Sequence, residues 1–274
     1  VNFQDIALQW ELFWQSYLVI VFNAVPLSLC GVYLIGKRQE FMAASVSKAT
    51  LFGIALYICL QAHHSHSDSF FLLLGSAFAM TFLTLSAFLI PQNSRNSLAL
   101  QVTAFLFFGS GVTLLLTHHP QSLEELTRLI NSNIVGTGNR ELFLAVLSLV
   151  FTSAILHSMR HKLLLWCIDS KAFLRLHGFT PVIIYCALCS LSLSLSITSM
   201  GILLSFALLV LPAICSRLIA GSFERMWAIS AILALTPATI TILISTTLDF
   251  HISALLAFIL SSITLALLIR TELR

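Results

Sequence analysis

Nine apolar stretches follow one another along this chain with hardly a charge inside them. Each is close to the roughly 20 residues that a helix needs to cross a bilayer. They run 14–36, 45–62, 70–90, 98–116, 140–158, 180–198, 201–220, 227–246 and 252–270. Only 9% of the 274 residues are charged, against about 25% in soluble domains. The chain therefore predicts an all-α polytopic transmembrane helix bundle of eight or nine spans, one domain over residues 1–274 with little room for a soluble part. The uncharged turn at Ser199–Gly201 is the weakest boundary. Merging the spans on either side of it gives eight and upsets the alternation.

The basic residues are placed one-sidedly. Of 14 lysines and arginines, one set of loops holds Lys37, Arg38, Arg95, Arg160, Lys162, Lys171, Arg175, Arg217, Arg225, Arg270 and Arg274. The opposite set holds Arg128 and Arg140, and Lys48 lies within a span. The positive-inside rule then predicts an external N-terminus and a cytoplasmic C-terminus. Residues 1–16 carry Asp5 and Glu11 and lack a basic n-region, so no cleavable signal peptide is expected there. Residues 1–13 are expected in the outer interface, where rings such as Phe3 and Trp10 settle. Residues 120–131 read as an external helix lying on the membrane surface. Ser122 and Glu125 have capping-box spacing, and Leu123, Leu126, Leu129 and Ile130 form one apolar face. No GxxxxGK[ST] loop is present, so the chain hydrolyses no nucleotide by that route. Nothing in it points to a nucleic acid. The six cysteines, Cys186 and Cys189 included, read as packing residues inside spans.

Three places could carry function. In SMGILLSFALLVLPAICSR (199–217), Pro212 interrupts an apolar run that also holds Ser205. A proline there removes a backbone donor. Lipid tolerates this only where protein or a water path covers the freed carbonyl, so the stretch reads as a pathway helix. The longest cytoplasmic loop, about 159–179, holds a second candidate. Asp169 reads as an N-cap and Gly178 as a C′ residue, framing SKAFLRLH, with Pro181 beyond. Ala172, Phe173 and Leu176 share one face of that helix; Lys171 and Arg175 share another. Such a helix suits docking into a partner's groove or, alternatively, resting on lipid headgroups. The third candidate is the outer face, where His63, His64, His66 and Asp68 form HHSHSD and His251 follows Asp249. Imidazole with carboxylate suits zinc and, less selectively, manganese or iron; the alternative is an ordinary polar turn.

Several segments together resemble the membrane permease subunits of ATP-binding-cassette importers for zinc, manganese and iron. GVYLIGKRQEFMAASVSKATLFGIAL (31–56) resembles that family's first cytoplasmic turn and second span. LTRLINSNIV (126–135) is similar to its external helix. IDSKAFLRLHGF (168–179) resembles its coupling segment, with one residue more between Asp and Gly. GILLSFALLVLPAICSRL (201–218) and LISTTLDFHISALLAFIL (243–260) resemble its later spans. The resemblance implies a type II importer permease that dimerises, as a homodimer or a heterodimer with a related permease, in a bacterial inner membrane. A cytoplasmic ATPase would dock on Asp169, Lys171, Phe173, Arg175, Leu176 and Gly178. An external metal-binding protein would deliver zinc, manganese or iron. No covalently bound cofactor is implied, and ATP would sit on the partner subunit.

One departure stands out. The family's second span usually reads Gly-Asp-Ala-hydrophobic-Ser-His. Here the positions are Ala43 to Lys48, with Ala44 for the Asp and Lys48 for the His. Alanine cannot ligate, and a protonated lysine repels a cation. A sister permease could keep the ligands, the cargo could be anionic or a chelate, or Lys48 could be neutral or paired. Snorkelling to the headgroups also accounts for it. Ser47, Lys48, Ser205 and Pro212 are thus the expected pathway residues. Asp249, His251, His63, His64 and His66 are the expected metal contacts. The reading from a different class is a stand-alone secondary transporter or channel, which needs no ATPase-docking helix.

Overall fold

A computed structural model describes residues 3–37, 39–61, 69–89, 96–118, 138–248 and 251–272. In chain order its helices are α1 (Phe3–Gly36), α2 (Glu40–Gln61), α3 (Ser69–Leu89), α4 (Asn96–His118), α5 (Asn139–Ile168), α6 (Ser170–His177), α7 (Thr180–Met200), α8 (Ile202–Ile219), α9 (Phe223–Leu248) and α10 (Ile252–Glu272). Eight of them are long and apolar enough to cross a membrane, and α3 adds a shorter apolar piece, Leu74–Ser86. Among the described residues the architecture is all-helical. In lipid a helix satisfies its backbone within itself, which is why apolar runs of this length take that form.

Helix α1 begins at Phe3, ahead of its apolar span Phe13–Gly36, and has no proline before Pro26 to stop it. One boundary differs from the sequence reading. The loop expected from residue 159 is helical through Ile168, because nothing in MRHKLLLWCI breaks a helix. At 30 residues and a rise of about 1.5 Å each, α5 outruns the bilayer core. The expected external helix at 120–131 lies outside the described residues.

The α7–α8 boundary is a true break. Gly201 alone separates the two helices, with φ 83° and ψ 168°. Ser196 and Ser205 would stand about 13 Å apart on a continuous helix. Instead their hydroxyls meet at 2.7 Å, so the chain bends sharply at Gly201.

The core lies where α1, α2, α7 and α8 meet. Ser190, Ser192, Ser194 and Ser196 of α7 are all buried. Successive members of that series point about 200° apart around a helix, so α7 is covered on two opposite sides, while Ile183, Ile184 and Leu191 remain exposed. The Ser192 hydroxyl lies 3.0 Å from that of Thr152 and 3.3 Å from that of Ser148, both on α5. Small hydroxyl residues of this kind let membrane helices approach closely and bond across the gap. Helix α8 touches α1, α2, α7, α9 and α10. By contrast α4, α5 and α10 leave most of their apolar surface uncovered. All six cysteines are buried, and none forms a disulfide.

Candidate functional site

The expected pathway residues fall on two helices. On α2, Ser47 is buried and its hydroxyl donates to the Ala43 carbonyl at 2.9 Å, so it is turned back on its own helix. Lys48 and Ala44, one turn apart, are both half-buried. The Lys48 ammonium lies 5.7 Å from the centroid of the Phe105 ring on α4, within cation–π range. On α8, the buried Ser205 hydroxyl donates to the Gly201 carbonyl at 2.7 Å and bridges to Ser196. Pro212 is buried in the middle of α8 and deprives the Leu208 carbonyl of its usual donor. Lys48 and Pro212 lie on two helices that touch each other and border the core.

The short helix α6 is built by its caps. Asp169 ends α5 and starts α6: its Oδ1 accepts from the Ala172 N–H at 3.1 Å, and its carbonyl accepts from Phe173 at 3.0 Å. Gly178 closes the helix at φ +68°, donating to the Leu174 carbonyl at 3.1 Å. Pro181 follows in the first turn of α7. Of the three apolar residues expected to share a docking face, Phe173 and Leu176 are split. Phe173 is fully buried, with its ring stacked on that of His177, so it seats α6 on the body of the protein. Leu176 is 72% exposed, and Arg175 and His177 are exposed beside it. The side chain of Lys171 lies outside the described part.

Beside α6 stands a group that the sequence reading treated only as a loop charge. Lys37, at the elbow between α1 and α2, is 4% exposed. Its ammonium sits 3.5 Å from the centroid of the Trp166 ring in the last turn of α5. Burial pushes its pKa from 10.5 down to about 8, against a smaller opposite pull from Cys167 and Cys186. Nothing local marks this lysine: Arg38 next to it reads the same way. Asn23, inside the apolar run of α1, is 1% exposed and neither of its polar side-chain atoms has a partner among the described residues. A polar residue in mid-span was the signal available for it.

Of the expected metal contacts, Asp249, His63, His64 and His66 lie outside the described residues. His251 is exposed at the start of α10, its Nδ1 2.9 Å from the Ser253 hydroxyl and its carbonyl accepting from Leu255. Among the described residues no three His, Cys, Asp or Glu side chains are placed to hold a metal ion.

Residues 9–271 match the ABC 3 transport family. A Haemophilus influenzae protein named "probable iron transport system membrane protein" is 26% identical over 254 residues, covering 90% of this chain and 88% of its own. The zinc transport system membrane protein TroC of Treponema pallidum is 26% identical over 239 residues, covering 84% and 77%. In fold the chain is similar to PsaBC of Streptococcus pneumoniae, solved with a Fab, with TM-score 0.77 at 17% identity over 97% of this chain and 95% of that one.

Proposed function

Because the chain belongs to the ABC 3 transport family over residues 9–271, we propose that it is the membrane permease subunit of an ATP-driven importer for a divalent metal ion. Zinc, iron and manganese are the cargo candidates; the first two are named in its relatives. The chain itself does no covalent chemistry, and a separate ATPase subunit hydrolyses ATP. A second permease, identical or related, completes the pathway against the uncovered apolar faces of α4, α5 or α10. An external binding protein supplies the ion to the side where Asp249, His251 and the HHSH run lie. The bundle sits in a bacterial inner membrane with α6 in the cytoplasm and the N-terminus outside, as the placement of lysine and arginine supports.

The observation that carries this reading is the build of α6. It is fixed to the bundle by Phe173 and capped at both ends, yet it offers Leu176 and Arg175 outward. A solitary carrier or channel has no use for such a projection. Leu176→Asp should therefore abolish co-purification with the ATPase and ATP-dependent uptake of zinc or manganese by vesicles, while the permease still folds. Phe173→Asp should instead unseat α6 and lower the unfolding temperature, because it buries a carboxylate. Wild-type ATPase capture and uptake by Leu176→Asp would count against the proposal.

Lys48 supports a second reading of the cargo. A half-buried cation in a membrane span favours an anionic cargo such as a metal chelate over a bare ion. The double change Ala44→Asp with Lys48→His places a carboxylate and an imidazole one turn apart on α2. It should strengthen binding of free zinc or manganese to the purified protein, measured calorimetrically. Unaltered affinity and unaltered uptake selectivity would remove that face of α2 from the pathway.

A further inference from the structure

Lys37 is a cation that the fold buries against a ring face. It is 4% exposed, and no carboxylate pairs with it among the described residues. Its titratable neighbours are the thiols of Cys167 on α5 and Cys186 on α7. Burying a charge without a counter-charge costs stability, and an apolar side chain of equal length is often neutral or better at such a site. Among the described residues, then, no counter-charge explains the lysine. Its position does.

On one side Lys37 stacks on Trp166, at 3.5 Å from the ring centroid. Trp166 is the root of the docking helix: its carbonyl accepts the Ser170 hydroxyl at 3.0 Å, and α6 begins at Ser170. On the other side Lys37 closes the end of α1, its N–H donating to the Tyr33 carbonyl at 3.1 Å. That end of α1 is clamped to α8. Arg217 of α8 donates to the Ile35 carbonyl at 3.4 Å, and Gly31 lies directly against the Leu209 backbone. A continuous line of contacts thus runs α6, Trp166, Lys37, α1, α8.

We propose that the stack of Lys37 on Trp166 transmits movement of α6 to α1 and through it to α8, making both residues positioning residues for transport. This rests on the reading of the chain as an ATPase-driven permease. Neither residue is required to touch the cargo or the ATPase. A cation over a ring face suits the task, because its attraction depends on where the cation sits over the ring, whereas apolar contact has no such direction.

The test uses the complete transporter, this chain with its ATPase, in proteoliposomes. Uptake of zinc and manganese ions, ATP hydrolysis, complex assembly and the thermal midpoint are followed together. Lys37→Met should leave assembly and the hydrolysis rate intact and keep the midpoint equal or raised. Its ion uptake per ATP hydrolysed should fall by about tenfold, a typical size for coupling between sites. Trp166→Leu should behave alike in coupling, and Lys37→Arg and Trp166→Phe should restore most of it. Wild-type uptake per ATP in Lys37→Met would overturn the proposal. So would a lowered midpoint or failed assembly in Lys37→Met, since the lysine would then be structural. A wild-type complex that binds no ATPase would refute the permease reading itself, before any variant is compared.

Discussion

Gly31→Val should leave no well-folded transporter. A side-chain carbon at this position would stand 1.7 Å from the Leu209 carbonyl oxygen, 2.9 Å from its carbon and 3.3 Å from Ala213 Cβ. The two nearest atoms belong to the backbone of α8, so no rotamer change relieves the clash. Overfilling an ordinary core costs about 1–3 kcal/mol, because side chains can shift. Here whole helices must separate, which also strains the Arg217 bond to Ile35. Even Gly31→Ala should lower the unfolding temperature in detergent by several degrees, and Gly31→Val should abolish both monodisperse protein and uptake. Gly109 is the control, since an added Cβ there meets nothing within 4 Å. Gly109→Ala should behave as wild type. A Gly31→Val protein with a wild-type midpoint would mean that α1 and α8 do not meet at this point.

Gly201→Ala should be the next most damaging change. The backbone at φ 83° and ψ 168° lies in a region essentially open to glycine alone, and forcing another residue there costs about 1–3 kcal/mol. Asparagine tolerates left-handed helical backbone but not this one, so Gly201→Asn should fare no better than Gly201→Ala. Either variant shifts the start of α8 and breaks the Ser196–Ser205 contact of 2.7 Å. Reduced thermal midpoint and reduced uptake in both are the expected results. Tolerance of Asn together with rejection of Ala would point to a left-handed helical turn instead.

The spans were legible because a helix in lipid is dictated locally. The turn at Ser199–Gly201 was the uncertain one for the same reason. With no charge to place it outside the membrane, only a backbone angle that glycine can adopt decides whether the helix continues or breaks. Helix α5 runs past its expected end because hydropathy marks where lipid begins, whereas a helix stops only at a breaker or a cap. Asp169 and Gly178 were readable as caps, since capping involves residues three or four apart. The likeness of Gly201–Leu218 and its companion segments to metal-importer permeases was equally local, and the family match over residues 9–271 agrees with it.

What the residues by themselves determined, then, is everything that depends on neighbours within a turn or two. That covers the membrane helices, the capped α6 and the family's segments in their order. The tertiary structure alone decided which side chains meet across helices. It turned Phe173 inward while leaving Leu176 in the open, laid Gly31 against the backbone of α8, and set Lys37 over Trp166. Such meetings depend on how far one helix slides and rotates against another. Apolar spans constrain that weakly, because most of their surface is chemically alike, and only the close packing of the whole bundle selects one register.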